Sequence, residues 1–146
     1  MTEIEIRDAV PADIPALHRL IESAYRGEAS RAGWTTEADL LEGQRTDPEG
    51  LADILADPAQ GLLTAWRGGG LGRRLVEAAH RALAERFGAR RVRISVFPQR
   101  ETLIAWYERL GYRKTGETLP FPYGDLRFGL PKRDDLYFVV MEHELG

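Results

Sequence analysis

Residues 64–75 read Thr-Ala-Trp-Arg-Gly-Gly-Gly-Leu-Gly-Arg-Arg-Leu: an apolar run, three consecutive glycines with a fourth two positions on, then an arginine-rich helical pattern. One or two glycines suffice for a turn, but this cluster launches a helix at once. Successive N–H groups at a helix N-terminus, with no Cβ atoms in the way, form a nest for an anion and face it with the positive end of the helix dipole. The order of elements on either side of this junction decides the fold.

Downstream, Leu71, Leu75, Val76, Ala79, Leu83 and Phe87 fall on one helical face, and Gly88 ends it. Residues 91–97 alternate as a strand with Val92, Ile94 and Val96 on one side, closed by Pro98. A helix over 101–110 ending at Gly111, a strand over 112–119, a loop rich in proline and glycine, and a last strand over 136–144 follow. Upstream, residues 3–7 alternate as a strand with Ile4 and Ile6 on one face, and Asp13 offers an N-cap. A helix then runs through Ile14, Leu17, Ile21 and Tyr25 to a stop at Gly27. Thr36-Glu37-Ala38-Asp39 imitates a capping box and predicts a second helix through Leu40 and Leu41. Residues 51–56 predict one or two helical turns, and residues 61–66 a short strand.

With 146 residues, 43% hydrophobic and 29% charged, the chain reads as one soluble domain spanning 1–146. No apolar run approaches the ~20 residues of a membrane span and the start lacks a signal-peptide pattern, so a cytoplasmic setting is expected. The absence of cysteine excludes disulfides, thiolate metal sites and a cysteine nucleophile. Charge is segregated: residues 1–65 hold 13 acidic and 5 basic side chains, residues 66–114 hold 4 and 12. A basic middle segment opening at a glycine turn suits a polyanion, an acidic first segment suits a cation, and solvated faces explain both equally.

Gly70-Leu71-Gly72-Arg73-Arg74-Leu75, then a strand, then Leu103-Ile104-Ala105-Trp106-Tyr107-Glu108-Arg109-Leu110-Gly111-Tyr112, resembles the second half of the GNAT superfamily of acyl-CoA-dependent N-acetyltransferases. Residues Ile4 to Ala9 with Asp13 resemble its first strand and helix. The resemblance implies an α/β fold of α+β type, a mixed and mainly antiparallel central sheet flanked by helices. It implies acetyl-CoA as cosubstrate, no metal, and an amine as acceptor. Arg67-Gly68-Gly69-Gly70-Leu71-Gly72 matches the family's Q/R-x-x-G-x-G/A turn for the coenzyme's pyrophosphate, with Arg73 beside it. Tyr107 takes the position of the family's general acid, which protonates the departing thiolate. Arg100 stands where the family commonly has a coenzyme-contacting asparagine.

The acceptor is expected between the first helices and the last loop, against Tyr25, Glu28, Trp34 and Glu37 on one side and Phe121, Tyr123 and Phe128 on the other. Aromatic walls with carboxylates suit a protonated amine. No residue stands out as a base, and His18, His80 and His143 read as isolated. Neither nucleic acid nor membrane is expected as a partner; a homodimer stays open. Two other readings remain at this stage: a catalytically silent acyl-CoA sensor, and a nucleic-acid module using the Arg-Gly-Gly stretch.

The family carries three antiparallel strands before its glycine turn, and residues 61–66 leave room for one. We expect the sequence to join two pieces across an absent segment of roughly 25 to 40 residues near 64–72, enough for two strands and their turns. An unbroken Cα spacing of ~3.8 Å through 64–72 would oppose this. If the seam follows Gly69, Arg67 belongs to a hairpin; if it precedes Trp66, the whole of 67–72 is the phosphate turn.

Overall fold

The computed structural model describes residues 5–26, 30–31, 36–66, 71–125 and 129–145. Strand β1 (Glu5–Asp8) leads through a 3-10 turn over Pro11–Asp13 into helix α1 (Ile14–Tyr25). Asp13 does not cap α1 with its side chain. Its carboxylate turns back, accepting from the Val10 N–H at 2.9 Å and from Arg7 at 2.8 and 3.1 Å, and these bonds hold it below the usual carboxylate range. Helix α1 ends at Tyr25 because Arg26 turns to extended backbone; the stop expected at Gly27 lies outside the described residues.

The helix predicted from Thr36 does not form. Residues 38–40 are turn and Leu41–Glu42 is a short strand, β2. The Thr36 hydroxyl accepts from the Ala38 N–H at 3.1 Å, a local bond that competes with helix, and Leu40 and Leu41 are buried as consecutive residues rather than on one helical face. Helix α2 (Pro48–Ala56) starts at a cap the sequence reading missed: the Asp47 carboxylate accepts from the Gly50 N–H at 2.6 Å, with Pro48 in the first turn.

Strand β3 (Leu63–Trp66) pairs antiparallel with β1, setting Glu5 opposite Trp66 and Asp8 opposite Leu63. Helix α3 (Leu71–Phe87) follows and is closed by Gly88 at φ +65°. Strand β4 (Arg91–Val96), helix α4 (Glu101–Arg109), strand β5 (Arg113–Pro120), the short β6 (Leu130–Pro131) and β7 (Tyr137–Glu144) complete the order. Strand β7 lies between β4 and β5, antiparallel to both, and β6 pairs with β2. The β2–β6 pair was not foreseen; Lys132 ties it further by donating from its backbone N to Leu40 O and from Nζ to Ala38 O.

The architecture is α+β, with antiparallel sheets flanked by helices. Among the described residues β3 pairs with β1 alone and β4 with β7 alone. Within the stretch 64–72, where a seam was expected, residues 67–70 lie outside the described residues. Two apolar clusters meet at β4 and β7. Leu40, Leu41, Phe97, Phe121 and Leu136 form one, with Phe138 against it; Val96, Ile104, Tyr112 and Met141 form the other, with Tyr107 against it. No described helix is long and apolar enough to cross a membrane.

Candidate active site

Helix α4 sets the position of Tyr107. At its C-terminus Gly111, at φ +102°, donates to Glu108 O at 3.0 Å, and the Tyr112 N–H donates to Tyr107 O at 3.0 Å. This pair of bonds is the Schellman arrangement, in which the residue after the glycine packs on the residue four before it. Accordingly the Tyr112 ring meets the Tyr107 ring edge-on at 5.2 Å, and the Trp106 ring also meets it edge-on at 5.0 Å. A Cβ on Gly111 would stand 2.8 Å from the His143 ring, so both backbone angle and space require glycine there. Burial pushes the Tyr107 phenol above its ordinary value, with Tyr25 adding to the shift.

Tyr107 lines a cavity of about 370 Å³ with Tyr25, Arg26, Glu37, Leu41, Arg45, Ser95, Val96, Phe97, Arg100, Leu103, Phe121, Pro122 and Phe138. Its volume is that of a small-molecule pocket. A shallower depression of about 700 Å³, lined in part by His18, Glu22 and Lys132, shares only Arg26 and Leu41 with it and contains neither tyrosine.

The charged end of the cavity is organised by Glu37, whose side chain is 7% exposed. Its Oε1 meets Arg26 Nη2 at 3.1 Å and Arg45 Nε at 3.4 Å, and its Oε2 meets Arg100 Nη1 at 3.3 Å. Arg26 also donates to Gln44 O at 2.8 Å. The Arg45 and Arg100 guanidiniums lie 5.1 and 5.7 Å from the centre of the Tyr25 ring. Burial lowers the Arg100 pKa from its ordinary value, with Glu37 pulling the other way.

After the glycine-rich junction, Leu71, Gly72 and Arg73 form the first turn of the 17-residue α3. A Cβ at Gly72 would approach Trp106 at 3.4 Å, so this turn packs directly on the helix that carries Tyr107. Arg73 pairs with Glu77 at 3.1 Å on the surface. The first-turn N–H groups of a long helix, with a bare Gly72 and two arginines beside them, suit an anion such as a pyrophosphate. Arg67, Gly68, Gly69 and Gly70, which would complete the turn, lie outside the described residues, as do Glu28, Trp34 and Phe128.

The structure thus brings Tyr25, Glu37, Arg100, Tyr107 and Phe121 to one cavity. Tyr123 does not line it: its hydroxyl donates to Arg133 O at 2.8 Å and accepts from the Leu136 N–H at 2.9 Å, tying the loop before β7. Glu37 is not an open carboxylate for an amine, because three guanidiniums already surround it. His80 and His143 are not isolated either; their rings stack at 5.0 Å, and His80 Nε2 lies 2.7 Å from the Tyr112 hydroxyl. Sequence reasoning missed Arg26 and Arg45. Arg26 directly follows the last apolar position of a helix and Arg45 sits in a stretch without periodicity, so neither is marked by local pattern as a partner for Glu37, a carboxylate that requires a cation once buried.

The acetyltransferase (GNAT) domain family matches residues 50–114, just under half of the chain, and this segment includes α3 and Tyr107. A search of curated proteins finds no match. Among solved structures, an acetyltransferase of the GNAT family from Streptococcus pneumoniae superposes with a TM-score of 0.64 at 15% identity, over 97% of this chain and 99% of that one. The Salmonella typhimurium protein yncA, solved with its cofactor acetyl-CoA, gives 0.63 at 19% identity over 99% and 95%. A ribosomal-protein-alanine N-acetyltransferase from Brucella melitensis gives 0.62 at 18% over 96% and 99%.

Proposed function

The chain has the GNAT acetyltransferase fold, and on that premise we propose that it is an acetyl-CoA-dependent N-acetyltransferase acting on a primary amine of a small molecule, amino acid or peptide. The observation that supports this most is the seat of Tyr107, which lies within the matched segment and lines the cavity, with burial pushing its phenol above the ordinary value. Acetyl-CoA supplies the acetyl thioester. Leu71, Gly72 and Arg73, with Arg67 to Gly70 before them, would hold its pyrophosphate at the end of α3. Tyr25 and Phe121, with Trp34, would form walls for the acceptor.

The reaction proceeds by direct attack in a ternary complex. The neutral amine forms the new C–N bond at the thioester carbonyl, the C–S bond breaks, and the sulfur takes its proton from the Tyr107 hydroxyl. The proton shed by the amine goes to water, and Tyr107 recovers its own from solvent. A phenol suits this role because the leaving thiolate is itself basic.

Calorimetric titration with acetyl-CoA, followed by thiol release against a panel of amines and peptides, tests the proposal. Binding with amine-dependent thiol release is expected. Binding without release would favour a silent acyl-CoA sensor, and the absence of both would overturn the reading.

A further inference from the structure

The two residues that end α4 and seat Tyr107 are each held by a histidine from another element. His80 on α3 places Nε2 2.7 Å from the Tyr112 hydroxyl, and His143 on β7 places Nδ1 3.1 Å from Gly111 O. A carbonyl only accepts, so His143 Nδ1 carries a proton and donates it. Tyr112 is 3% exposed, and burial pushes its phenol up to about 12, so it stays protonated at neutral pH. Among the described residues, His80 is the one hydrogen-bond partner of that hydroxyl. A buried phenol is satisfied when it donates, which assigns the Tyr112 proton to this bond and the accepting lone pair to Nε2 of a neutral His80.

An imidazolium has no such lone pair. When His80 takes a proton from solvent, Nε2 becomes a donor and the Tyr112 proton must turn away from it, into a buried place where no described group is bonded to it. That is costly. The Tyr112 ring is also the edge-on neighbour of Tyr107, 5.2 Å away, and in a close-packed cluster a shift of one ring displaces the other.

The surroundings of His80 favour its neutral form. Burial lowers its pKa, His143 adds to that, and Glu77 on α3 opposes both. The His80 and His143 rings stack at 5.0 Å, so a charge on one disfavours a charge on the other. From the end of α4 the titratable group is Tyr112 itself, and from β4 Val92 stands opposite His143 and brings no charge. Arg113 and Lys114 of β5 line a depression with His143, Glu142 and Glu144, and the two glutamates are engaged by Arg91 and Arg93.

We propose that His80 is a positioning residue for Tyr107, acting through the Tyr112 ring, and that a proton taken up by His80 unseats Tyr107. Its bearing on catalysis rests on the acetyltransferase reading; the coupling of the rings does not.

The test is the nuclear Overhauser cross-peak between the Tyr107 and Tyr112 rings in the full chain, followed from pH 8 to 5.5 beside the His80 imidazole signals. The cross-peak is expected to be lost as His80 protonates, with a midpoint below ~6.5. A change of electric field alone would move chemical shifts and leave the cross-peak intact. In His80→Gln, whose amide can still meet the hydroxyl but gains no proton, and in Tyr112→Phe, the contact should persist over the whole range. A cross-peak that survives the protonation of His80, or that is lost at the same pH in both variants, overturns the proposal. So does a simultaneous loss of the Tyr123 ring signals, which would report general unfolding. With an amine that supports thiol release from acetyl-CoA, the ratio of kcat in the parent to that in His80→Gln should fall about two- to tenfold between pH 8 and 5.5, the scale of one hydrogen bond. Protonation of the amine itself cancels in that ratio, and a constant ratio overturns the positioning role. Absence of thiol release with every amine would instead overturn the acetyltransferase reading and leave the ring coupling to be decided by the cross-peak alone.

Discussion

Tyr107 and Glu37 carry most of the account at the level of single residues, and they were legible to different degrees. Tyr107 stands in a contiguous run, Leu103 to Tyr112, that the sequence displays whole. The partners of Glu37 stand 11, 8 and 63 residues from it, and no local pattern connects them. Tyr107→Phe is expected to lower kcat by roughly 10²–10⁴-fold, the usual worth of a positioned acid, with acetyl-CoA affinity little changed. Because burial raises the Tyr107 pKa above its ordinary value, the acid form persists to higher pH. Any alkaline loss of rate through this group therefore falls above pH ~10, and a pH–rate profile of the Phe variant should lack that limb. For Glu37→Leu, thermal denaturation should show a loss of about 3–5 kcal/mol, because Arg26 is left buried and unbalanced. Replacing Arg26 by Met in the same chain should recover part of it; a double variant no more stable than the single would contradict the pairing of these two residues.

Helix α4 and its glycine stop show how an element delivers a residue to a site. The alternation of 91–97 and the helical spacings of 71–87 and 101–109 were readable because each element gathers its apolar residues on one face with its own period. The stretch from Thr36 to Leu41 was misread because the Thr36 hydroxyl bond to Ala38 N belongs equally to a turn and to a helix start. Gly111→Ala should cost at least about 1 kcal/mol from its positive φ alone, with more from the His143 ring that its Cβ would meet. Activity should fall with it, since the Tyr112–Tyr107 contact depends on that turn. At the junction of α3, β5 and β7, burial and the neighbouring His143 lower the His80 pKa. The unfolded chain therefore binds the proton more readily, and stability present above pH ~6.5 declines as pH falls below it. Urea midpoints at pH 7.5 and 5 should diverge less in a His80→Gln variant than in the parent.

Among the described residues the strands fall in separate groups and the longest helix, α3, is only partly buried. No described residue of α3 is fully buried, Phe87 is 43% exposed, and an apolar groove of about 270 Å³ runs between α3 and β3. A sheet lacking two strands between β3 and β4 would leave these features: two unpaired edges and an apolar helix face with too little to cover it. On that account the 146-residue chain should self-associate with concentration in sedimentation and bind a hydrophobic dye. A monodisperse monomer that binds no dye and unfolds cooperatively would show that the β1–β3 and β4–β7–β5 sheets need no further strands.

The most direct test of the central claim follows both products in one reaction, measuring free coenzyme A thiol and acetylated amine together for the parent chain and for Tyr107→Phe. The account predicts that thiol and acetylated amine appear mole for mole, only when amine is present, and about 10²–10⁴-fold more slowly in the variant. Thiol release without acetylated amine, or equal rates in the two proteins, would contradict it.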